Sequence, residues 1–398
     1  MTASTPRVAD RTRARRAMGF VVMLGVVSLF GDMTYEGARS IVGPYLNLLG
    51  ASSLVIGLVS GLGEFLGYAL RLPFGLFADR THRYWPITIA GYAVNLFAVP
   101  LLAMAGSWQL AAVLVVAERA GRAMRKPAGD AMLSYAASEM GRGWGFGLRE
   151  AMDQTGAVLG PLCIAWAIAH GSSYTHAFAL LAVPAALGVF SILAARSFYP
   201  SPEKLEVRRP ELPHTAGTSG VFRLYVVAGA CIAIGTADFP LVAFHLARTE
   251  VLDRATVPAL YALAMGAAAV AAPLVGWIYD RRGITTVALA SLAPIASTPL
   301  LFLGSARGAM IGIALWGAAM GVQEATVRAV VADLTPADRR ASAYGLFDAA
   351  FGTAWLVGST AMGALYAVGP MALVWFAIAA QVAAVLLLAL VALKARRS

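Results

Sequence analysis

From Met18 to Leu393 the chain alternates apolar runs with short polar connections, and the runs are about 20 residues long, the length a helix needs to cross hydrocarbon. The pattern predicts about twelve helical spans. The first six are Met18–Pro44, Leu54–Ala78, Trp85–Met104, Trp108–Met124, Trp144–His170 and Tyr174–Ala194. A stretch rich in proline and charge, without periodicity, reads as a linker over 197–220. Six further spans follow: Val221–Ala247, Val257–Tyr279, Thr285–Leu303, Met310–Ala332, one containing Tyr344–Ser359, and Met371–Leu393. The segment Phe146–Pro161 aligns without a gap to Tyr344–Ser359, matching Gly147 with Gly345, Glu150 with Asp348 and Gly160 with Gly358. The expected fold class is therefore all-α integral membrane, with two six-helix pseudo-repeats. Residues 1–17 form a basic N-terminus, 18–196 a first bundle, 197–220 the linker, 221–394 a second bundle and 395–398 a tail.

Composition agrees with that pattern and narrows it. Of 398 residues 59% are hydrophobic and 13% charged, against about a quarter charged in soluble domains. Twelve spans with short connections leave no room for a sizeable soluble domain. Cys163 and Cys231 both lie in apolar runs, which excludes a disulfide framework. A net charge of +10 could suggest nucleic acid, but its placement argues for a membrane instead. Arg7, Arg11, Arg13, Arg15 and Arg16 precede the first span, and Arg80 with Arg83, Arg125 with Lys126, Arg208 with Arg209, Arg281 with Arg282, Arg339 with Arg340 and Arg396 with Arg397 fall at every second connection after it. By the positive-inside rule this puts both termini in the cytoplasm and the protein in the cell membrane. The first apolar run is too long for a removed signal peptide and lacks a small-residue cleavage site.

Charge inside the spans points to function, because an ionisable group in hydrocarbon costs at least ~2.5 kcal/mol and must face protein or water. In the first span Asp32, Glu36 and Arg39 share a helix face at i, i+4 and i+7, and Glu64 and Arg71 share one in the second. Glu118 and Arg119 lie in the fourth span; Arg149, Glu150 and Asp153 lie in the fifth. Asp32 and Glu64 read as proton carriers, desolvated carboxyls that cycle between charged and neutral forms, or as permanent partners of Arg39 and Arg71. Arg119 points away from Glu118, so each is expected to pair elsewhere. Arg122, Arg125 and Lys126 are expected to reach toward lipid headgroups. The second half carries only Asp238, Glu324, Arg328 and Asp348 within its spans, which assigns proton handling to the first half. Cys231 reads either as a soft-metal ligand meeting Asp32 across the halves or as a small apolar residue. His82, His170, His176, His214 and His245 form no nucleophilic or metal-binding spacing, so no enzyme, no cofactor and no resident metal is expected.

Three motifs carry a family resemblance. Gly75, Asp79 and Arg80, with Arg83 beyond, and Gly276, Asp280, Arg281, Arg282 and Gly283 resemble the loop motif of the major facilitator superfamily. Gly156, Gly160 and Pro161 resemble the span-five motif of its antiporters, and Arg119 the span-four arginine of its drug and proton antiporters. F-x-D-x-x-x-E in the first span and E-R-x-G-R-x-x-R-x-P-x-x-D after the fourth look like a mainly uncharacterised prokaryotic branch. His82 stands where the loop motif usually has glycine, and Gly129 where that branch often has arginine. The resemblance implies the major facilitator fold, alternating access and a gate latch at Asp79 and Asp280, for which helix capping is the competing reading. It further implies proton-coupled export of a small solute by a monomer whose partners are substrate, protons and lipid, without nucleic acid. Two other expectations stand beside it: a metal or metalloid exporter on the same fold, and an integral-membrane enzyme.

Overall fold

A computed structural model describes residues 6–140, 142–202, 220–250, 252–282, 285–335 and 340–395. The elements are α1 (Pro6–Leu48), α2 (Ser53–Ala69), α3 (Arg71–Thr81), α4 (Tyr84–Leu101), α5 (Trp108–Met140), α6 (Arg142–Ala169), α7 (Tyr174–Leu180) and α8 (Ala182–Phe198). The second set is α9 (Gly220–Gly235), α10 (Phe239–Thr249), α11 (Thr256–Arg282), α12 (Thr285–Ala290), α13 (Ala293–Leu303), α14 (Ala306–Leu334), α15 (Arg340–Val368) and α16 (Pro370–Ala395). Four spans are broken and form from helix pairs: α2 with α3, α7 with α8, α9 with α10, and α12 with α13. Among the described residues, nine spans are long and apolar enough to cross a membrane by length and composition. The other three long helices, α5, α6 and α14, are those with Glu118 and Arg119, Arg149 to Asp153, and Glu324 and Arg328 in their sequences.

Helix pairing repeats between the two sets of six. In the first, α1 packs on α6 and α8, and α4 on α5; in the second, α9 packs on α15 and α16, and α13 on α14. The halves meet through α2 on α15, α6 on α11, and α1 on α10. Glycine lets these backbones touch, as in small-residue packing between membrane helices. A Cβ at Gly57 would stand 2.3 Å from the Ser359 carbonyl oxygen, so no larger side chain fits that seam.

The seams are not uniform along the membrane normal. At the end away from the termini one core is shared by both bundles, with Tyr35, Ile41, Val42 and Leu46 of α1 packed among Phe239, Val242, Tyr261 and Met362. At the end bearing the termini the core is split: Phe20, Val27, Trp85 and Ile192 pack in the first bundle, and Phe222, Tyr225, Val331 and Leu388 in the second. The protein is thus sealed at the far end and divided at the terminal end.

One expectation needs correction. The connection after the fourth span is not a loop, since α5 runs through Pro127 to Met140. Arg125 is buried against Asp32, and the half-buried Lys126 and Asp130 pair with each other, so this stretch does not mark a surface turn. His82 ends α3 in the left-handed region, with φ of 52°, which explains why glycine is usual there. His82→Gly should therefore stabilise the fold by roughly 0.5 kcal/mol, relief of left-handed strain being partly offset by glycine entropy. Thermal unfolding in detergent checks this, and an unchanged or lower midpoint would contradict it.

Candidate functional site: a charge network joining the bundles

Span seven breaks between Gly235 and Phe239, and Asp238 caps α10 with extended backbone. A Cβ at Gly43 would lie 1.9 Å from the Pro240 carbonyl oxygen, so α1 and α10 touch backbone to backbone. One turn before Gly43 on α1, this contact brings Arg39 to Asp238. Arg39 Nη2 lies 3.1 Å from Asp238 Oδ1 and 3.1 Å from Glu64 Oε1. Asp238 Oδ2 accepts a bond of 3.1 Å from Trp355 Nε1 on α15. Glu64 also faces Arg119 Nη1 at 3.4 Å, Arg119 Nε faces Glu118 Oε2 at 3.3 Å, and Asn95 Nδ2 of α4 donates to Glu118 Oε1 at 2.7 Å. The chain Asn95, Glu118, Arg119, Glu64, Arg39, Asp238, Trp355 therefore crosses from the first bundle to the second. Glu36 adds a second crossing by accepting from the Tyr261 hydroxyl of α11.

A second cluster lies toward the terminal end. Arg125 Nη2 is 3.9 Å from Asp32 Oδ1 and its guanidinium lies over the Tyr92 ring at 4.2 Å; Arg122 lies over Tyr35 at 4.2 Å. Arg149 pairs with Asp130, approaches Asp153 at 3.9 Å and donates to Ser28 at 3.0 Å. These groups lie in the protein interior: Asp32, Glu36, Arg39, Glu118, Arg119 and Arg125 are each at most 8% exposed and Asp238 only 2%. Lone charges so placed would be costly, and the pairing makes the arrangement tenable.

Several expectations change here. Arg125 is buried against Asp32, so it does not reach headgroups, and Arg122 stacks on Tyr35. Arg119 also contacts its neighbour Glu118, while each has a partner elsewhere as expected, Arg119 in Glu64 of α2 and Glu118 in Asn95 of α4. Arg71 stacks on Tyr68 at 4.6 Å, and Glu64 takes Arg39 and Arg119 instead. Glu150, at the terminal end, is exposed and accepts from Gln154. Gly156 and Gly160 press α6 onto α1, with Cβ positions 2.2 Å from the Leu29 and Met33 carbonyl oxygens, and Pro161 follows within the same helix. Asp79 is exposed and accepts from Tyr84 in its own bundle at 3.4 Å; Arg80 and Arg83 are exposed beside it, and Gly75 lies near Pro127. A Cβ at Gly276 meets open space, and Arg281 folds back over Trp277 at 3.4 Å. The side chains of Asp280, Glu324 and Arg328 lie outside the described residues. Among the described residues no group of three His, Cys, Asp or Glu is arranged to hold a metal.

Asp238, Tyr261 and Asn95 were missed as site residues. Asp238 had one available signal, an acid directly before Phe-Pro in an apolar run, which is a helix-start pattern. Tyr261 and Asn95 gave none.

The Major Facilitator Superfamily sequence model matches residues 21–303 and 226–398. The chain belongs to that superfamily, and is a multi-pass membrane transporter. It is 42% identical over 388 residues to an uncharacterised protein of Mycobacterium tuberculosis, covering 96% of this chain and 95% of that one. It is 26% identical to an uncharacterised major-facilitator-type transporter of Methanocaldococcus jannaschii, covering 92% and 94%. A stretch of 117 residues is 36% identical to the class C tetracycline resistance protein of Escherichia coli, covering 28% and 27%. In structure it is similar to a POT family transporter solved with 5-aminolevulinic acid, with TM-score 0.78, 14% identity and coverage of 95% and 96%. That last likeness is one of fold.

Proposed function

We propose that this transporter exports a small solute from the cytoplasm in exchange for protons by alternating access, with both termini cytoplasmic. The observation that carries the proposal is the pair of polar crossings at the sealed end, Arg39 to Asp238 and Tyr261 to Glu36. Opening that end must break both, so the two states differ in which partner each carboxylate holds. A group that changes partner between states changes its proton affinity, and a proton can then bias the equilibrium. Asp32 is the carrier we favour. Its described ion pair is with Arg125 at 3.9 Å, whereas Glu64 sits within 3.4 Å of two arginines.

Export is supported by the glycines and proline of α6 and by the stretch similar to a tetracycline resistance protein. The basic connections orient the divided end toward the cytoplasm. The test uses everted membrane vesicles with an acid interior set by respiration and followed by a weak-base dye. A transported solute added outside should collapse part of the pH gradient in vesicles containing the protein and not in empty ones. A screen in which solutes accumulate without any gradient loss would contradict proton exchange.

A further inference from the structure

The two crossings at the sealed end differ in what each carboxylate gives up when the bundles part. Glu36 loses a neutral donor, the Tyr261 hydroxyl. Asp238 loses a charge. Arg39 of α1 lies 3.1 Å from Glu64 Oε1 of α2 as well as 3.1 Å from Asp238 Oδ1, so it stays in the first bundle with a counter-ion still beside it. Asp238 stays in the second bundle with the Trp355 Nε1 donor of α15 at 3.1 Å.

The second bundle has no cation within reach to replace Arg39. The helix break that carries Asp238 is held by α14 and α15, with Trp316 Nε1 donating to the Ala237 carbonyl at 2.9 Å and Trp355 to Asp238 itself. The arginines of α9, α10, α14 and α15, from Arg223 to Arg340, stand at least nine residues, about 13 Å of helix, from Gly235, Asp238, Trp316 or Trp355, farther than an arginine side chain extends. His245 is two turns along α10, on the Tyr366 hydroxyl. Glu118 and Arg119 of α5 share the small space beside Asp238, but they belong to the first bundle and leave with it. What stays around Asp238 is apolar, with Phe239, Leu241, Trp316 and Trp355 all buried. A carboxylate left there without its cation is costly as an anion, and a proton neutralises it.

From this we infer that Asp238 is a proton-binding site for the far side of the membrane, charged against Arg39 while that end is shut and protonated from far-side water when it opens. Trp355 is its positioning residue, because its N–H keeps the carboxylate on the second bundle in both forms. The inference rests on the alternating access proposed above, and not on export, on the solute or on Asp32 as carrier. Proton handling, assigned to the first half by its charges, is then shared by both. Acid acquires a direction. The open form binds one more proton than the shut form, so lowering the pH favours opening, by up to about tenfold in the ratio of the two forms per pH unit. Closing returns Arg39 to the carboxylate and displaces the proton.

The test is the distance between spin labels at Leu48 and Val368, both exposed at the sealed end, across a series of pH values. It uses the full-length protein in nanodiscs, with Cys163 and Cys231 replaced and without a pH gradient. The open fraction should grow on acidification in the parent, and in Asp238→Asn it should be large at every pH. Trp355→Phe removes the donor and should move the opening midpoint up by about one pH unit, the worth of one hydrogen bond to a charged group. If Asp238→Asn does not fold, Trp355→Phe decides. A parent that ignores pH, a parental acid response in Asp238→Asn, or an unmoved midpoint in Trp355→Phe would overturn the site. Acid opening that requires Asp238, in a protein whose vesicles show no proton exchange, would keep the site and sink only the exporter. Proton exchange with a far end indifferent to pH would sink the site alone.

Discussion

Asp238→Ala is expected to abolish transport and to lower stability by about 3 kcal/mol, the cost of breaking a buried ion pair by removing one partner. The loss has two parts. Arg39 keeps Glu64 but loses its contact across the bundles, and Trp355 Nε1 loses its acceptor. Removing the arginine as well should restore part of the stability, because Arg39→Gln with Asp238→Ala removes both charges of that joint, while Glu64 keeps Arg119. A double-mutant cycle on thermal unfolding in detergent reads the coupling, which should exceed about 1 kcal/mol for residues in direct contact. Additive losses would mean that the two side chains are neighbours without being partners.

Asp32→Asn should remove proton-driven transport down to the level of empty vesicles while leaving exchange of solute across the membrane. Asparagine keeps the size and polarity of the side chain and cannot take up or release the proton. Arg125 would still lie over Tyr92, and α1 would still pack on α6 through Gly156 and Gly160, so the bundle should persist. Proteoliposomes with an imposed pH gradient separate the two activities. If the variant still concentrates solute against its gradient, the carrier is another group, with Asp153 and Glu64 next in order.

The architecture was legible because hydrocarbon allows few solutions. Runs of about 20 apolar residues fix the spans, and the alignment of Phe146–Pro161 with Tyr344–Ser359 exposes the repeat. Apart from Glu150, which is exposed, the acids and arginines read as site residues in α1, α2, α5 and α6 were legible as interior groups for the same reason, since none can face lipid. Their partners were not. Arg125 looked like a headgroup ligand because a charge cluster with Pro127 resembles a surface turn, yet the helix continues and the cluster is paired inside. Asp238 was visible as a charge but not as the partner of Arg39, since a contact between residues 199 apart depends on how two bundles lean together. The tyrosine at 261 carried no signal at all, because a phenol in an apolar helix reads as packing until a carboxylate is found opposite it.

Arg39 and Asp238 hold the far end shut, and spin-label distances at the two ends test this most directly. With Cys163 and Cys231 replaced, one pair of labels at Leu48 and Val368 reports the sealed end, and another at Arg83 and Arg282 reports the divided end. In Asp238→Asn the first distance should lengthen and the second shorten relative to the parent, as one end opens and the other closes. Distance distributions that coincide with those of the parent at both ends would contradict a seal built on this pair.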